Sequence, residues 1–318
     1  MSANIEDTPA LYDCRDAFAD VLTELGEADE RIVAVVNDSV GSSKLGGFAT
    51  RFPERIINVG IAEQNQVGVA AGLEGGGRLP IVSCAGSFLS ARAMEQVKID
   101  AAYSYRHMVL TAQSPGLAYG QLGSTHHSAE DVAWMRVIPN MTVIVPADPV
   151  ETAAAVRWAV TAHDGPVYIR ISRMKVPAVH ADDYVFAPGR ATTLRDGDDL
   201  TIITNGTVLH RAVAAADALA AEGIHARVLS MACVKPLDED AVLSAARETG
   251  RIITAEEGLV AGGLGGAVTE LVTDNQPVPV KRIGIPDTFA PTGSEGWLMD
   301  HWGISADGIT AAAKELLG

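Results

Sequence analysis

INVGIAEQNQVGVAAGLEGGG, residues 57–77, holds a short strand, a tight turn and a helix in immediate succession. Ile57-Asn58-Val59 is the strand, Gly60 the break, and Ile61-Ala62-Glu63-Gln64-Asn65 opens a helix that runs into three glycines. A carboxylate in the first turn of a helix ordinarily does no more than complement the helix dipole. Glu63 therefore acquires meaning only from what surrounds it.

On either side, apolar β-branched runs alternate with alanine-rich helical stretches. RIVAVVND (31–38), LPIVSCA (79–85), MVLTAQ (108–113), TVIVPA (142–147) and VYIRIS (167–172) read as buried strands. Thr8-Pro9 is a helix-start signal, followed by Leu11, Cys14, Phe18, Leu22 and Leu25 at steps of three and four, with Gly26 as the stop. Asp148, Pro149 and Glu151 mark another start, as cap, first turn and third position. The pattern lapses over residues 179–199, where Pro188-Gly189 stands among Asp182, Asp183, Asp196, Asp198 and Asp199, and a linker is expected. It resumes with LTIITNG (200–206), a helix over 207–222, ARVLSM (226–231), a helix between Asp238 and Gly250, RIITAEE (251–257), VKRIGI (280–285) and a final helix from Asp307. Continuous apolar strands separated by helices predict an α/β fold, with two domains of mostly parallel sheets flanked by helices, over residues 1–178 and 200–318.

The 318 residues carry 24 Lys+Arg and 40 Asp+Glu, a formal net charge of −16. So acidic a chain is ill suited to nucleic acid or an anionic membrane, although a local basic site can still hold a phosphate. Hydrophobic residues at 47% and charged residues at 20% exclude disorder as the main state. No apolar run reaches the roughly 18 residues of a membrane span. The opening MSANIEDTPALYDC has neither the basic nor the apolar part of a secretory leader. Cys14, Cys84 and Cys233 form no CxxC pair, which points to a reducing, cytoplasmic setting. Gly262-Gly263-Leu264-Gly265-Gly266 lacks the GxGxxG order and reads as a tight strand-to-helix turn. His126-His127 has no third ligand in view, so no metal site is expected in this chain.

Three segments together are more specific. GIAEQN (60–65) is followed by Gly86-Ser87-Phe88-Leu89 with Arg92, Glu95 and Gln96, and then by Gly123-Ser124-Thr125-His126. KPLDEDAV (235–242), EEG (256–258) and GGLGGAV (262–268) come later. In this order they resemble the transketolase family of thiamine diphosphate enzymes, its pyrimidine-binding domain first and its C-terminal domain second, over nearly the whole chain. That family's upstream domain carries a GDG motif with a later Asn, which binds magnesium and the diphosphate. The near match here, Asp196-Gly197-Asp198, falls in the expected linker and has no matching downstream Asn. The resemblance thus implies the C-terminal half of a split transketolase. A separate N-terminal subunit would hold Mg2+ and the diphosphate, in a heterotetramer acting on a small sugar substrate.

The resemblance also implies roles. Glu63 would bond to a pyrimidine nitrogen of the cofactor, and Phe88 would stack on the aminopyrimidine. Arg92, with Glu95, is similar to the corresponding helix of the deoxyxylulose phosphate synthases and is assigned to the cofactor. His126 would contact substrate hydroxyls near the reacting carbon. Arg173 would bind an anionic tail, with Ser42 after Asp38 on a loop that offers a further phosphate contact. Leu122 and Ser114 stand where conventional transketolases place an Asp and a His that read sugar hydroxyls, which implies a modified ketose or a less hydroxylated acceptor. The alternatives are a 2-oxo acid dehydrogenase beta subunit, a deoxyxylulose phosphate synthase-like enzyme, or a non-catalytic scaffold subunit; the intact Glu63 speaks against the last.

Overall fold

A strand that is apolar at every position needs cover on both faces, and the computed structural model, which describes residues 9–318, supplies it. In chain order the first domain contains β1 (Tyr12–Asp13), α1 (Cys14–Ala28), β2 (Ile32–Val36), α2 (Gly46–Arg51), β3 (Ile56–Asn58), α3 (Glu63–Gly75), β4 (Leu79–Ala85), α4 (Gly86–Arg92), α5 (Met94–Gln96), β5 (Val109–Gln113), α6 (Asp131–Val137), β6 (Thr142–Ile144), α7 (Pro149–Thr161), β7 (Val167–Ile171) and β8 (Lys175–Val176). The second contains β9 (Thr192–Arg195), β10 (Leu200–Thr204), α8 (Leu209–Ala220), β11 (Ala226–Ser230), β12 (Cys233–Lys235), α9 (Glu239–Glu248), β13 (Ile252–Leu259), α10 (Leu264–Asn275), β14 (Val280–Ile285), α11 (Glu295–His301) and α12 (Ala306–Leu317).

The larger sheet has the order β12-β6-β7-β5-β4-β2-β3 and is parallel except where β12 joins β6. Phe18, Leu22, Phe48, Val156 and Ile169 pack on one face; Val67, Leu89, Leu110, Met135 and Tyr168 pack on the other. The smaller sheet runs β14-β13-β10-β11-β9, with only β9 antiparallel. The α/β class with two mostly parallel sheets is therefore observed.

Three boundaries differ from the sequence expectation. Helix α1 starts at Cys14, because the Asp13 carboxylate accepts the Arg15 N–H at 3.0 Å and caps it. Tyr12 and Asp13 are instead extended, paired antiparallel with Lys175 and Val176; Thr8 of the expected start lies outside the described residues. The expected linker ends early, since Thr192–Arg195 alternates half-buried with exposed positions and forms the edge strand β9 against β11. Finally, β12 lies in the C-terminal stretch of the chain yet extends the first domain's sheet. A local hydrophobic pattern cannot name a partner strand so distant in sequence.

A buried guanidinium, paired within the first domain, also reaches into the second. Arg170, only 5% exposed, projects from β7 and pairs with the fully buried Asp131, which accepts the Tyr168 hydroxyl at 2.6 Å. The same guanidinium donates to the Glu257 and Ser128 carbonyls, each at 2.8 Å. Removing one partner of a buried pair like this typically costs about 3–5 kcal/mol.

Candidate active site

The turn between β3 and α3 places Glu63. Gly60 adopts φ +74°, a conformation that favours glycine, and its N–H is held by Asn58 Oδ1 at 2.9 Å. Gln66 ties α3 to the sheet by donating to the Val35 and Ser83 carbonyls at 2.7 and 3.2 Å. Glu63 is 3% exposed, and its Oε1 accepts Asn37 Nδ2 at 2.8 Å and Arg92 Nη1 at 3.0 Å. The Asn37 amide is itself oriented, because its Oδ1 accepts the Ser39 hydroxyl at 2.7 Å. Glu63 Oε2 has no hydrogen-bond partner among the described residues. Glu63 borders an open concavity of about 660 Å³ lined also by Ile61, Ala62, Gln64, Asn65 and Arg92.

From Glu63 a run of contacts crosses the first domain. The Arg92 guanidinium lies 3.9 Å from the centre of the Phe88 ring and covers one of its faces. The Phe88 ring meets His126 nearly edge-on, with centroids 5.3 Å apart. His126 meets Tyr119 at 5.9 Å, and the Arg173 guanidinium sits 5.2 Å from the Tyr119 centroid. His126 Nδ1 also lies 2.9 Å from Thr125 Oγ1. Beyond Tyr119 is a second depression of about 300 Å³, lined in part by Leu122, Arg173 and Glu295. The structure thus brings Glu63, Arg92, Phe88, His126 and Arg173 into one chain of contacts, with Leu122 beside its far end.

Ser114 and Ser42 are placed differently. Ser114 is fully buried at φ +52°; its N–H donates to the Ile171 carbonyl at 2.8 Å and its hydroxyl has no partner among the described residues. Ser42 is exposed and lines neither depression. Its hydroxyl turns back to the Ser39 carbonyl at 3.2 Å, and its own carbonyl accepts Arg15 Nη1 at 2.9 Å.

The loop bearing Tyr119 and His126 is held from the second domain. Glu257 Oε1 accepts the Leu117 N–H at 2.6 Å, and its Oε2 accepts the Thr207 hydroxyl at 2.6 Å. Burial pushes the Glu257 carboxyl above the ordinary range, against the opposing pull of Arg170. Farther along, Gly293 N–H donates to the Gly120 carbonyl at 3.1 Å and the Ser124 hydroxyl to the Ala290 carbonyl at 2.8 Å. The glycine turn 262–266 is filled from within, because Glu256 accepts the Leu264 and Gly265 N–H groups at 2.9 and 2.8 Å. A side chain at Gly263 would come within 2.1 Å of that carboxylate, so the helix start has no place for a phosphate.

Sequence reasoning missed Asn37, Tyr119, Glu257 and Glu295. Asn37 had a readable signal, as the first polar residue after the apolar strand IVAVV. Glu257 and Glu295 reach the site only through the docking of the second domain.

Residues 11–179 match the family described as transketolase, pyrimidine binding domain, and residues 189–309 the transketolase C-terminal domain. Over 305 residues the chain is 44% identical to the B component of the apulose-4-phosphate transketolase of Phocaeicola vulgatus, covering 96% of this chain and 97% of that one. It is 41% identical over 302 residues to the 6-deoxy-6-sulfo-D-fructose transketolase subunit SqwH of a Clostridium species, covering 95% and 94%. A 1-deoxy-D-xylulose-5-phosphate synthase of Desulforudis audaxviator is 38% identical over 311 residues, 96% of this chain but 49% of that protein. Among solved structures, a split gene transketolase described as an inactive β4 tetramer superimposes with TM-score 0.87 at 40% identity, over 98% of this chain and 99% of its own.

Proposed function

The chain belongs to the transketolase family of thiamine diphosphate-dependent transferases, and we propose that it is the C-terminal subunit of a split transketolase that moves a two-carbon ketol unit from a ketose to an aldehyde. The observation that carries this reading is the state of Glu63. Glu63 is buried beside an open concavity, one carboxylate oxygen is held by Asn37 and Arg92, and the other is left without a partner among the described residues. A pseudoenzyme has no need of a buried carboxylate kept in that condition.

These residues fit thiamine diphosphate, which when bound supplies the thiazolium carbon that carries the ketol unit. Glu63 holds a proton or a hydrogen bond at a pyrimidine nitrogen, and Asn37 and Arg92 keep its carboxylate in one orientation. Phe88, one face of which Arg92 covers, would stack on the aminopyrimidine. His126 hydrogen-bonds substrate hydroxyls near the reacting carbon, and Arg173 takes an anionic tail. Leu122, an apolar residue, and Ser114 beneath the loop leave the substrate fewer hydroxyl partners, consistent with a modified ketose. Ser42, on the loop anchored by Arg15, would contact a substrate phosphate only by giving up its bond to the Ser39 carbonyl.

A partner N-terminal subunit holds the diphosphate and Mg2+ in this reading. Asp196-Gly197-Asp198 does not substitute for it: Gly197 packs against the His225 carbonyl, where a side chain would come within 2.3 Å, and Asp199 accepts the His225 N–H at 2.7 Å. That segment is a structural turn between β9 and β10. The expected assembly is a heterotetramer of two subunits of each kind, working in the cytoplasm, a setting consistent with three cysteines that are all free and buried.

Co-expression with the candidate diphosphate-binding subunit, followed by ketol-transfer assays with thiamine diphosphate and Mg2+, tests this. Transfer is expected only in the mixture and is expected to vanish in Glu63→Gln with assembly unchanged. Near-normal turnover in that variant would sink the assignment. Turnover of pyruvate without ketose turnover would select the deoxyxylulose phosphate synthase-like reading.

A further inference from the structure

The far depression is closed on one side by the second domain. Gly120 sits so close to Gly293 that a side chain there would lie 2.4 Å from the Gly293 carbonyl and 3.3 Å from the Glu295 nitrogen. Together with the Gly293–Gly120 and Ser124–Ala290 hydrogen bonds, this interlock carries Glu295, the first residue of α11, into the cavity that Arg173, Tyr119 and Leu122 line. Arg173 makes no hydrogen bond or ion pair with any described residue and rests on the Tyr119 ring. Glu295 likewise has no ion-pair partner among the described residues. Arg15, in the first turn of α1, is already neutralised by Asp13, which it contacts at 2.6 and 3.0 Å. The cavity therefore presents one guanidinium and one carboxylate that do not touch, with about 300 Å³ of space at them.

We propose that Glu295 is a specificity-determining residue: it offsets Arg173, so the cavity denies a dianionic phosphate ester the advantage that a lone arginine would give it over a ketose tail with at most one negative charge. This rests on the ketol-transfer reading above. The physical reason is charge count. A phosphate monoester carries about −1.5 to −2 charges at pH 7 and a sulfonate carries one. Against a lone arginine the dianion gains more; with a carboxylate in the same cavity it also meets twice the repulsion of a monoanion. Selection by an introduced repulsion is a common route to specificity. The apolar, 54% exposed Leu122 adds no charge to change this balance, and the carboxylate remains free to accept a tail hydroxyl.

The test uses the chain with its diphosphate-binding subunit, loaded with thiamine diphosphate and Mg2+. Michaelis constants are measured for D-fructose 6-phosphate, 6-deoxy-6-sulfo-D-fructose and D-fructose. In Glu295→Gln the KM of the phosphate ester, relative to that of the neutral ketose, is expected to fall about three- to tenfold, and that of the sulfonate less. Glu295→Asp should retain the wild-type ratio. A second readout needs no turnover: in 31P NMR titrations, inorganic phosphate should bind about three- to tenfold more tightly to Glu295→Gln, and the gain should vanish when Arg173→Ala is added. Equal shifts of all three KM values, or an unchanged phosphate affinity, would overturn the proposal. If the wild-type complex turns over no ketose at all, the ketol-transfer reading fails on its own, and the phosphate titration still decides the role of Glu295.

Discussion

Asn37 donates from Nδ2 to Glu63 Oε1 at 2.8 Å, and Ser39 fixes which way its amide faces. The carboxylate is thus presented by a relay that begins in the loop after β2. Asn37→Ala removes one hydrogen bond to a charged group, an interaction worth about 1.5–3 kcal/mol. Steady-state kinetics of the assembled enzyme should show kcat/KM lower by about 10- to 100-fold. Asn37→Asp, which sets a second carboxylate against the first, should be worse than Asn37→Ala. Equal activity in Asn37→Ala and wild type would detach Asn37 from the site.

Arg173 is expected to act on the tail of the substrate and not on the transfer itself. Arg173→Ala should raise KM for a phosphorylated or sulfonated ketose by about 10- to 100-fold, the loss of a charge-assisted contact. The KM of an uncharged ketose should hardly move, and a parallel rise for that ketose would point to a folding defect instead.

Gly116 adopts φ +62°, and a Cβ there would lie 2.2 Å from Glu257 Oε1. Gly116→Ala combines backbone strain with a clash against a buried carboxylate, and is expected to destabilise the chain by about 2–4 kcal/mol. Denaturant unfolding measures this. Because the clash displaces the clamp on Leu117, the residual folded enzyme should also lose activity in proportion greater than its folded fraction.

His180 supplies a pH signature. Its Nδ1 lies 3.0 Å from Asp148 Oδ2 and its Nε2 3.5 Å from Glu151 Oε1, while Tyr184 donates to the same Glu151 oxygen at 2.8 Å. Burial alone would depress the imidazole, but the hydrogen bond to Asp148 and the Glu151 charge outweigh it and raise His180 above its ordinary value of 6.5. A raised folded value means the stabilisation is fully present below the unfolded value and is lost as pH rises through the folded one. Thermal melts should therefore show His180→Gln further below wild type at about pH 6 than at about pH 9. A gap that widens with pH would reverse the assignment of charge in this cluster.

The local pattern carried far into the fold and less far into the site. β2, β4, β5 and β10 are legible because each is a mainly apolar run without a charged residue between polar turns. The α7 start is legible because Asp148 caps Glu151 at 2.8 Å with Pro149 next in line. β9 was hidden, since Thr192–Arg195 is an edge with only half-buried side chains among aspartates. α2 and α11 are too short for a periodic stripe to form. In the candidate site, the motifs single out Glu63, Phe88, Arg92, His126 and Arg173, which the fold brings into one run of contacts. That Arg92 links Glu63 to Phe88 was not legible, because the contact depends on how α3 and α4 face one another. Glu257 was visible only as part of an EEG run, and its grip on Leu117, 140 residues away, is a product of domain docking.

β12 has a consequence for how the chain comes apart. A segment that follows three strands of the smaller sheet completes the edge of the larger one beside β6. Neither half can therefore melt without breaking a strand pairing and the bond from the Arg170 guanidinium to the Glu257 carbonyl. Heating should produce one calorimetric transition, not two, with the calorimetric and van't Hoff enthalpies in agreement. Proteolysis between residues 178 and 191 should nick the chain without releasing either fragment, since the cut pieces still share one hydrogen-bonded ribbon.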